Sequence, residues 1–257
     1  MPPPNRTFWE ILMISEFDLD AEITRLLTPR QTLAPWIFEP SGIMKEDVRE
    51  GLMNIVRKVV SETIYGILGL EVKDVCLTGS SSGYLYKDDS DIDIRIEVHN
   101  INCPELTDNQ DPFDDFLSSQ KTGFFAHGYN ARFLGRFVDV KMTSEQVDFL
   151  SLYSVKNNKW LIKPNRDYAK DLTLKDIKKY YLKARTDVLN EFDAIQAKYK
   201  GALLGTKLKD FYFKVCHNEK NFKDFAVYKL LSRERILKAI REKSVFANNE
   251  EFEDLQK

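Results

Sequence analysis

At 257 residues, with 43% hydrophobic and 30% charged side chains, the chain has the make-up of one large or two modest globular domains able to bury a core. Apolar stretches such as Ile64-Tyr65-Gly66-Ile67-Leu68-Gly69-Leu70 fall far short of the roughly 20 residues that cross a bilayer, and no signal-peptide run follows Met1-Pro2-Pro3-Pro4. Cys76, Cys103 and Cys216 form no CxxC, which leaves no disulfide scaffold or zinc ribbon to expect, and a cytoplasmic protein with reduced thiols and no membrane partner fits best.

The net charge of −2 conceals a division. Residues 1–150 hold 14 Lys and Arg against 25 Asp and Glu, a balance of −11, whereas residues 151–257 hold 24 against 15, a balance of +9. The second half either meets something anionic, such as nucleotide phosphate or nucleic acid, or offsets an acidic partner region across an interface.

In chain order, Leu12, Phe17, Leu19, Ile23, Leu26 and Leu27 give Phe8–Leu27 a weak helical pattern that Thr28-Pro29 stops. Val48, Leu52, Ile55, Val59 and Ile67 fall on one stripe and predict an amphipathic helix over 45–68. The period then changes. Val75-Cys76-Leu77 reads as a buried strand entering the small-residue turn Thr78–Gly83, and Ile92, Ile94, Ile96 and Val98 alternate with Asp91, Asp93, Arg95 and Glu97 as a half-buried strand does. Residues 100–123 read as an acidic loop with a short helix over 112–120. Phe124–Phe133 and Phe137–Met142 follow as strands joined near Gly135, and Tyr153–Val155 with Trp160–Ile162 as a small hairpin. Beyond Pro164 the chain turns helical: Thr173 and Asp176 make a capping box, Ile177, Tyr181, Ala184, Val188, Phe192, Ile195 and Tyr199 step by three and four, and Gly201 stops the run. Helices over 207–217 and 223–243 complete the tail. The order predicts an α+β (mixed α/β) chain in three parts: a helical and extended lead-in over 1–44, a core over 45–164, and a helical region over 165–257.

Chemistry concentrates between Leu77 and Ile94. A strand runs into Gly79-Ser80, ten residues intervene, and Asp91-Ile92-Asp93 opens the next strand. Period-2 geometry turns Asp91 and Asp93 to one face. Two carboxylates so close repel unless a cation lies between them, which points to hard divalent metal ligation. Gly79 leaves the backbone open to close approach and Ser80 adds a hydroxyl, a combination suited to a polyphosphate tail. Asp139, between Val138 and Val140 in a strand pattern, supplies a third carboxylate whose burial would be costly without a partner. Three such groups can hold two metal ions roughly 4 Å apart. Lys87, Asp88, Asp89 and Ser90 read as a solvated loop, Ser81 as a phosphate contact or a cap of the turn, and Tyr153 and Trp160 as core rather than a base-stacking pair. His99, His127 and His217 are scattered, and Cys216-His217 reads as a helix end.

Gly79-Ser80, the ten-residue gap, Asp91-Ile92-Asp93 and the later Asp139 resemble the nucleotidyltransferase superfamily typified by DNA polymerase beta. More narrowly the chain resembles nucleotidyltransferase-like proteins of large tailed phages and some bacteria. Asp47-Val48-Arg49, Leu77–Ser80, Ser90–Asp93, Tyr153–Trp160 and Phe225–Leu231 carry that resemblance across roughly residues 35–245. Ser81-Ser82-Gly83 departs from the Ala-containing stretch more usual after Gly-Ser. The resemblance implies a polymerase-beta-like core with a small mixed sheet and a helical region closing a nucleotide cleft. It implies Mg²⁺- or Mn²⁺-dependent transfer of a nucleoside monophosphate from a nucleoside triphosphate to the hydroxyl of an RNA end, a protein or a small molecule, with release of pyrophosphate. Asp91, Asp93 and Asp139 would be the metal ligands and catalytic residues, with Asp139 at or near the general base, and Gly79, Ser80 and Ser81 would bind nucleotide. In related folds a basic residue of the following helical region reaches the triphosphate, which makes Lys179 and Lys183 candidates beside the alternative of a solvated basic face. A phage-encoded chain would act in the host cytoplasm. The rival readings are a non-catalytic nucleotide sensor or antitoxin-like partner, and an RNA-binding adaptor, which the pI near 6.0 disfavours.

Overall fold

The computed structural model describes residues 17–64, 70–100, 131–143, 150–216 and 221–254. The chain divides into two compact units. Pro29–Asp167 holds every described strand, and Met1–Thr28 joins Tyr168–Lys257 in a helical unit. The expected 1–44 lead-in is therefore split between them. Its helix, α1 (Leu19–Leu27), buries Ile23 and Leu26 and belongs with the C-terminal helices. The architecture is α+β: a six-stranded mixed sheet and, among the described residues, six α-helices, four of them in the C-terminal half.

In the sheet unit, α2 (Glu46–Ile64) begins with Glu46 and Asp47, whose charges suit a helix N-terminus. Val48, Leu52, Val56 and Val59 are its buried stripe, one position off the expected pattern at Val56 and Ile55. The last four residues of the expected helix, 65–68, lie outside the described residues, as do the acidic loop, the short helix over 112–120 and most of the strand expected over 124–133. The strands are β1 (Leu70–Thr78), β2 (Ile92–Asn100), β3 (Arg132–Phe133), β4 (Arg136–Thr143), β5 (Leu152–Ser154) and β6 (Lys159–Ile162), ordered β3-β4-β2-β1-β5-β6. All neighbours are antiparallel except β2 and β4, which run parallel with Asp93 opposite Asp139.

Strict alternation in β2 sends Ile92, Ile94, Ile96 and Val98 into the core at 1% exposure or less, together with Val138, Val140 and Met142 of β4 and the stripe of α2. Tyr153 and Trp160 also belong to this core. Tyr153 is fully buried, its hydroxyl accepts from the Met44 amide at 3.0 Å, and the Trp160 ring stacks on Phe38. A bulge between Val72 and Asp74 turns the buried Asp74 carboxylate onto the Val75 amide and the Ser154 hydroxyl, each at 2.7 Å.

In the helical unit, α3 (Leu174–Lys198) opens with the predicted Thr173–Asp176 capping box and buries Ile177, Tyr181, Val188, Leu189 and Phe192. Gly201 does not end this helix. The helix ends at Lys198, and Gly201, at φ +55°, is the first residue of α4 (Gly201–Cys216), which starts six residues before the expected 207. The expected 223–243 helix is two helices, α5 (Phe222–Arg233) and α6 (Ile236–Asp254), parted where Arg235 takes φ +66°. Helix α1 packs on α3 and α5, and α4 runs along α6. No helix among the described residues is long and apolar enough to cross a membrane.

Candidate functional site

Thr78 and Asp93 are opposite one another across β1 and β2, so Gly79 leaves the sheet directly beside Asp93. Its backbone, φ +73° and ψ −161°, lies in a region almost closed to residues with a Cβ. A Cβ built there would lie 2.0 Å from Asp93 Oδ2. Sequence reasoning valued this glycine for close approach of a ligand. The structure adds a second reason: the carboxylate of Asp93 occupies the place of the missing side chain.

The next three residues, Ser80–Ser82, make one 3₁₀ turn. Each serine hydroxyl has its own task. Ser80 Oγ is 3.3 Å from Ser90 Oγ, which itself accepts from the Lys87 amide at 2.8 Å. Ser82, buried, donates to the Gly79 carbonyl at 2.8 Å and lies 2.7 Å from the Ser151 hydroxyl. Ser81 is fully buried and donates to the Asp91 carbonyl at 2.5 Å. Ser81, read from the sequence as a phosphate contact or a cap of the turn, ties the turn to the backbone of the first aspartate, which leaves Ser80 as the more accessible hydroxyl of the two.

The polar face of the sheet follows from the register. Asp91 is exposed and Asp93 half-buried, with Ile92 and Ile94 inward, and Asp139, opposite Asp93 on β4, is exposed. Adjacent strands in a ladder stand about 4.8 Å apart, so Asp93 and Asp139 rise side by side on one face, and period 2 adds Asp91 to it. Asp139 is exposed and not buried, so it needs no partner to offset a cost of burial. Among the described residues no three His, Cys, Asp or Glu side chains already converge as a metal cage. The donors are nonetheless all hard carboxylate oxygens, the set that Mg²⁺ or Mn²⁺ takes, and the place vacated by a Gly79 side chain lets the Asp93 carboxylate reach toward the turn. The residues fit such a cation in chemistry and in register.

Arg136 is the residue that sequence reasoning missed. It stands at the inward parity of β4, ahead of Val138, Val140 and Met142. Its guanidinium lies 3.8 Å from the centroid of the Trp36 ring, and Nη1 donates to the Ser90 carbonyl at 3.1 Å. With Ser81 it fixes the backbone on both sides of the step into Asp91. Its Nε is buried and has no hydrogen-bond partner among the described residues. An arginine on the apolar parity of an alternating strand was the available signal.

The remaining expected site residues belong to the helical unit. Lys179 and Lys183 are exposed on α3. Their neighbours are engaged within the same unit: Lys178 with Asp20 at 2.8 Å and Arg185 with Glu234 at 2.6 Å. Burial first, then the Glu234 hydrogen bond, pushes the Tyr181 hydroxyl far above its usual range. Cys76 is buried, and burial followed by the charges of Asp74 and Glu97 pushes its thiol up to about 12, which makes it a poor nucleophile at neutral pH. Cys103, His127 and His217 lie outside the described residues. No family model, curated protein or solved structure matches the chain.

Proposed function

We propose that the sheet unit carries a polymerase-beta-like nucleotidyltransferase centre. The observation that carries this reading is the register of Asp93 against Asp139 on the polar face, beside a Gly79 whose conformation and missing Cβ are both required. In this reading Asp91, Asp93 and Asp139 hold Mg²⁺ or Mn²⁺, and the Gly79-Ser80 turn receives the phosphates of a nucleoside triphosphate. The bound cation would activate the acceptor hydroxyl and neutralise charge on the departing pyrophosphate. The oxygen of the acceptor forms its bond to the α-phosphorus as the α-phosphorus bond to the bridging oxygen of pyrophosphate breaks, and Asp139 takes the acceptor proton.

The test is incubation of the protein with labelled nucleoside triphosphates, Mg²⁺ and host RNA or protein. Transfer of label to an acceptor is expected, and Asp91→Asn should abolish it while leaving the fold intact, since volume is kept and only charge is lost. Retention of nucleotide without transfer would favour a sensor. RNA binding without nucleotide binding would favour an adaptor.

A further inference from the structure

Beyond Asp139 the same face continues to Phe137. The ladder between β2 and β4 begins with Ile92 opposite Val138, so the preceding residues, Asp91 and Phe137, stand at one end of it. Phe137 shares its outward parity with Asp139 and remains 49% exposed. It is also opposite Arg132 across β3 and β4, and the Arg132 guanidinium lies 4.0 Å from the centroid of its ring. The turn joining these strands is Leu134-Gly135, at φ +52° and +73°. Glycine takes that conformation readily, but leucine does not, and Leu134 is 51% exposed at the tip. A strained turn therefore presents an aromatic ring, a cation and an apolar tip next to the aspartates, where folding alone would favour asparagine at the turn and polar residues on the edge.

Strand order decides which reactant meets this element. Gly79-Ser80 lies on the β1 side of Asp93, while Asp139, Phe137 and Arg132 lie on the opposite side, toward the β3 edge. If the triphosphate takes the first side, the second is where the acceptor hydroxyl enters. The geometry points to Phe137 and Arg132 as the acceptor subsite for a single-stranded nucleic-acid end, its terminal base stacked on Phe137 and an adjoining phosphate on Arg132. The inference rests on the nucleotidyltransferase reading and names its acceptor. In the step, the terminal 3′ oxygen bonds to the α-phosphorus, its proton passes to Asp139, and pyrophosphate leaves with the electrons of the broken phosphorus–oxygen bond.

The test is fluorescence anisotropy with a short labelled single-stranded RNA, and its DNA counterpart, on the full chain in the presence of Mg²⁺. Phe137→Ala should weaken binding about 5- to 150-fold, the range of one stacked base, and Phe137→Trp should restore it. Arg132→Ala should lower the slope of log affinity against log salt by about 0.7, one phosphate on a single strand. Melting curves of the same variants separate lost binding from lost folding, and Phe137→Trp remains informative if the alanine variant unfolds. Wild-type binding by a folded Phe137→Ala would overturn the proposal. Loss of nucleoside triphosphate affinity in place of oligonucleotide affinity would overturn it too. Label transfer to a protein or small-molecule hydroxyl with no oligonucleotide binding would overturn the subsite and leave the nucleotidyltransferase reading standing. Stacking-dependent oligonucleotide binding without nucleotide binding or transfer would refute that reading and with it the acceptor role, leaving Phe137 as an oligonucleotide contact alone.

Discussion

In the helical unit Lys178, Arg185, Lys214 and Arg233 each meet a carboxylate from another element, respectively Asp20, Glu234, Glu191 and Glu22. In the sheet unit Asp91 and Asp139 stand exposed with Asp93 on one face, beside a Gly79 at φ +73° and a Ser81 hydroxyl bonded to the Asp91 carbonyl. The sequence left two explanations for the basic second half, an anionic ligand or internal balance. Four ion pairs show that part of that charge ties helices to one another. Substitutions in the helical unit should accordingly change stability and spare the chemistry, whereas substitutions on the polar face of the sheet should do the reverse, with Gly79 the position where the two effects coincide.

The largest expected effect is at Gly79. Gly79→Ala combines a backbone region closed to alanine with a contact of 2.0 Å to Asp93 Oδ2, and should lower stability by about 3 kcal/mol in urea unfolding. Adding Asp93→Ala should recover only part of that loss, because the overlap is relieved and the backbone conformation is not. Full recovery would mean that conformation costs nothing here.

Next is Glu234→Ala. It removes the acceptor of both Tyr181 and Arg185 in a half-buried setting, and should cost about 2 kcal/mol, less than a fully buried pair because Arg185 keeps 30% of its side chain exposed. Nucleotide binding should be unchanged. A change in nucleotide affinity at constant stability would break the division between the units.

Thr173→Ala, which deletes the helix cap, should cost about 1 kcal/mol. The partner carboxyl, Asp176, is held below its ordinary range first by the Thr173 side-chain hydrogen bond and then by the Thr173 amide. A depressed carboxyl stabilises the fold above its unfolded pKa and loses that contribution as pH falls through its folded one. The stability gap between the wild type and Asp176→Asn should therefore be full at neutral pH and close below the usual carboxylate range.

The smallest expected effect on stability is at Lys179 and Lys183. Their alanine variants should stay within about 0.5 kcal/mol of wild type, as exposed positions do. Titration of the same variants with nucleoside triphosphate should give two wild-type affinities, and weakened affinity would break the division between the units.

Period and punctuation made most of the fold legible. The alternation Ile92–Val98 and the stripe of α2 each record a face that must be buried, and Thr173-x-x-Asp176 records a cap whose chemistry is local. What failed was equally physical. Gly201 signals an end of helix by its freedom at positive φ, but a positive φ serves as well at the start of the next helix, and Arg235 takes the same region with no glycine to announce it. The placing of Asp91, Asp93 and Asp139 on polar strand positions was legible because strand parity and spacing are one-dimensional. The burial of Ser81 and the position of Arg136 on Trp36 were not, because they depend on which loop folds over which residue. The side-by-side register of Asp93 and Asp139 required the parallel pairing of β2 with β4, which links strands far apart in the chain.

The central claim is that the polar face binds a nucleoside triphosphate through a divalent cation. It is tested most directly by calorimetric titration of each of the four ribonucleoside triphosphates, with and without Mg²⁺, into the wild type and Asp93→Asn. The account predicts binding of at least one nucleotide that requires Mg²⁺ and disappears in Asp93→Asn, while the metal-free unfolding midpoint of that variant stays equal to or above the wild type as one like charge leaves the face. Nucleotide binding by Asp93→Asn at wild-type affinity, or the same affinity with and without Mg²⁺ in the wild type, would contradict it.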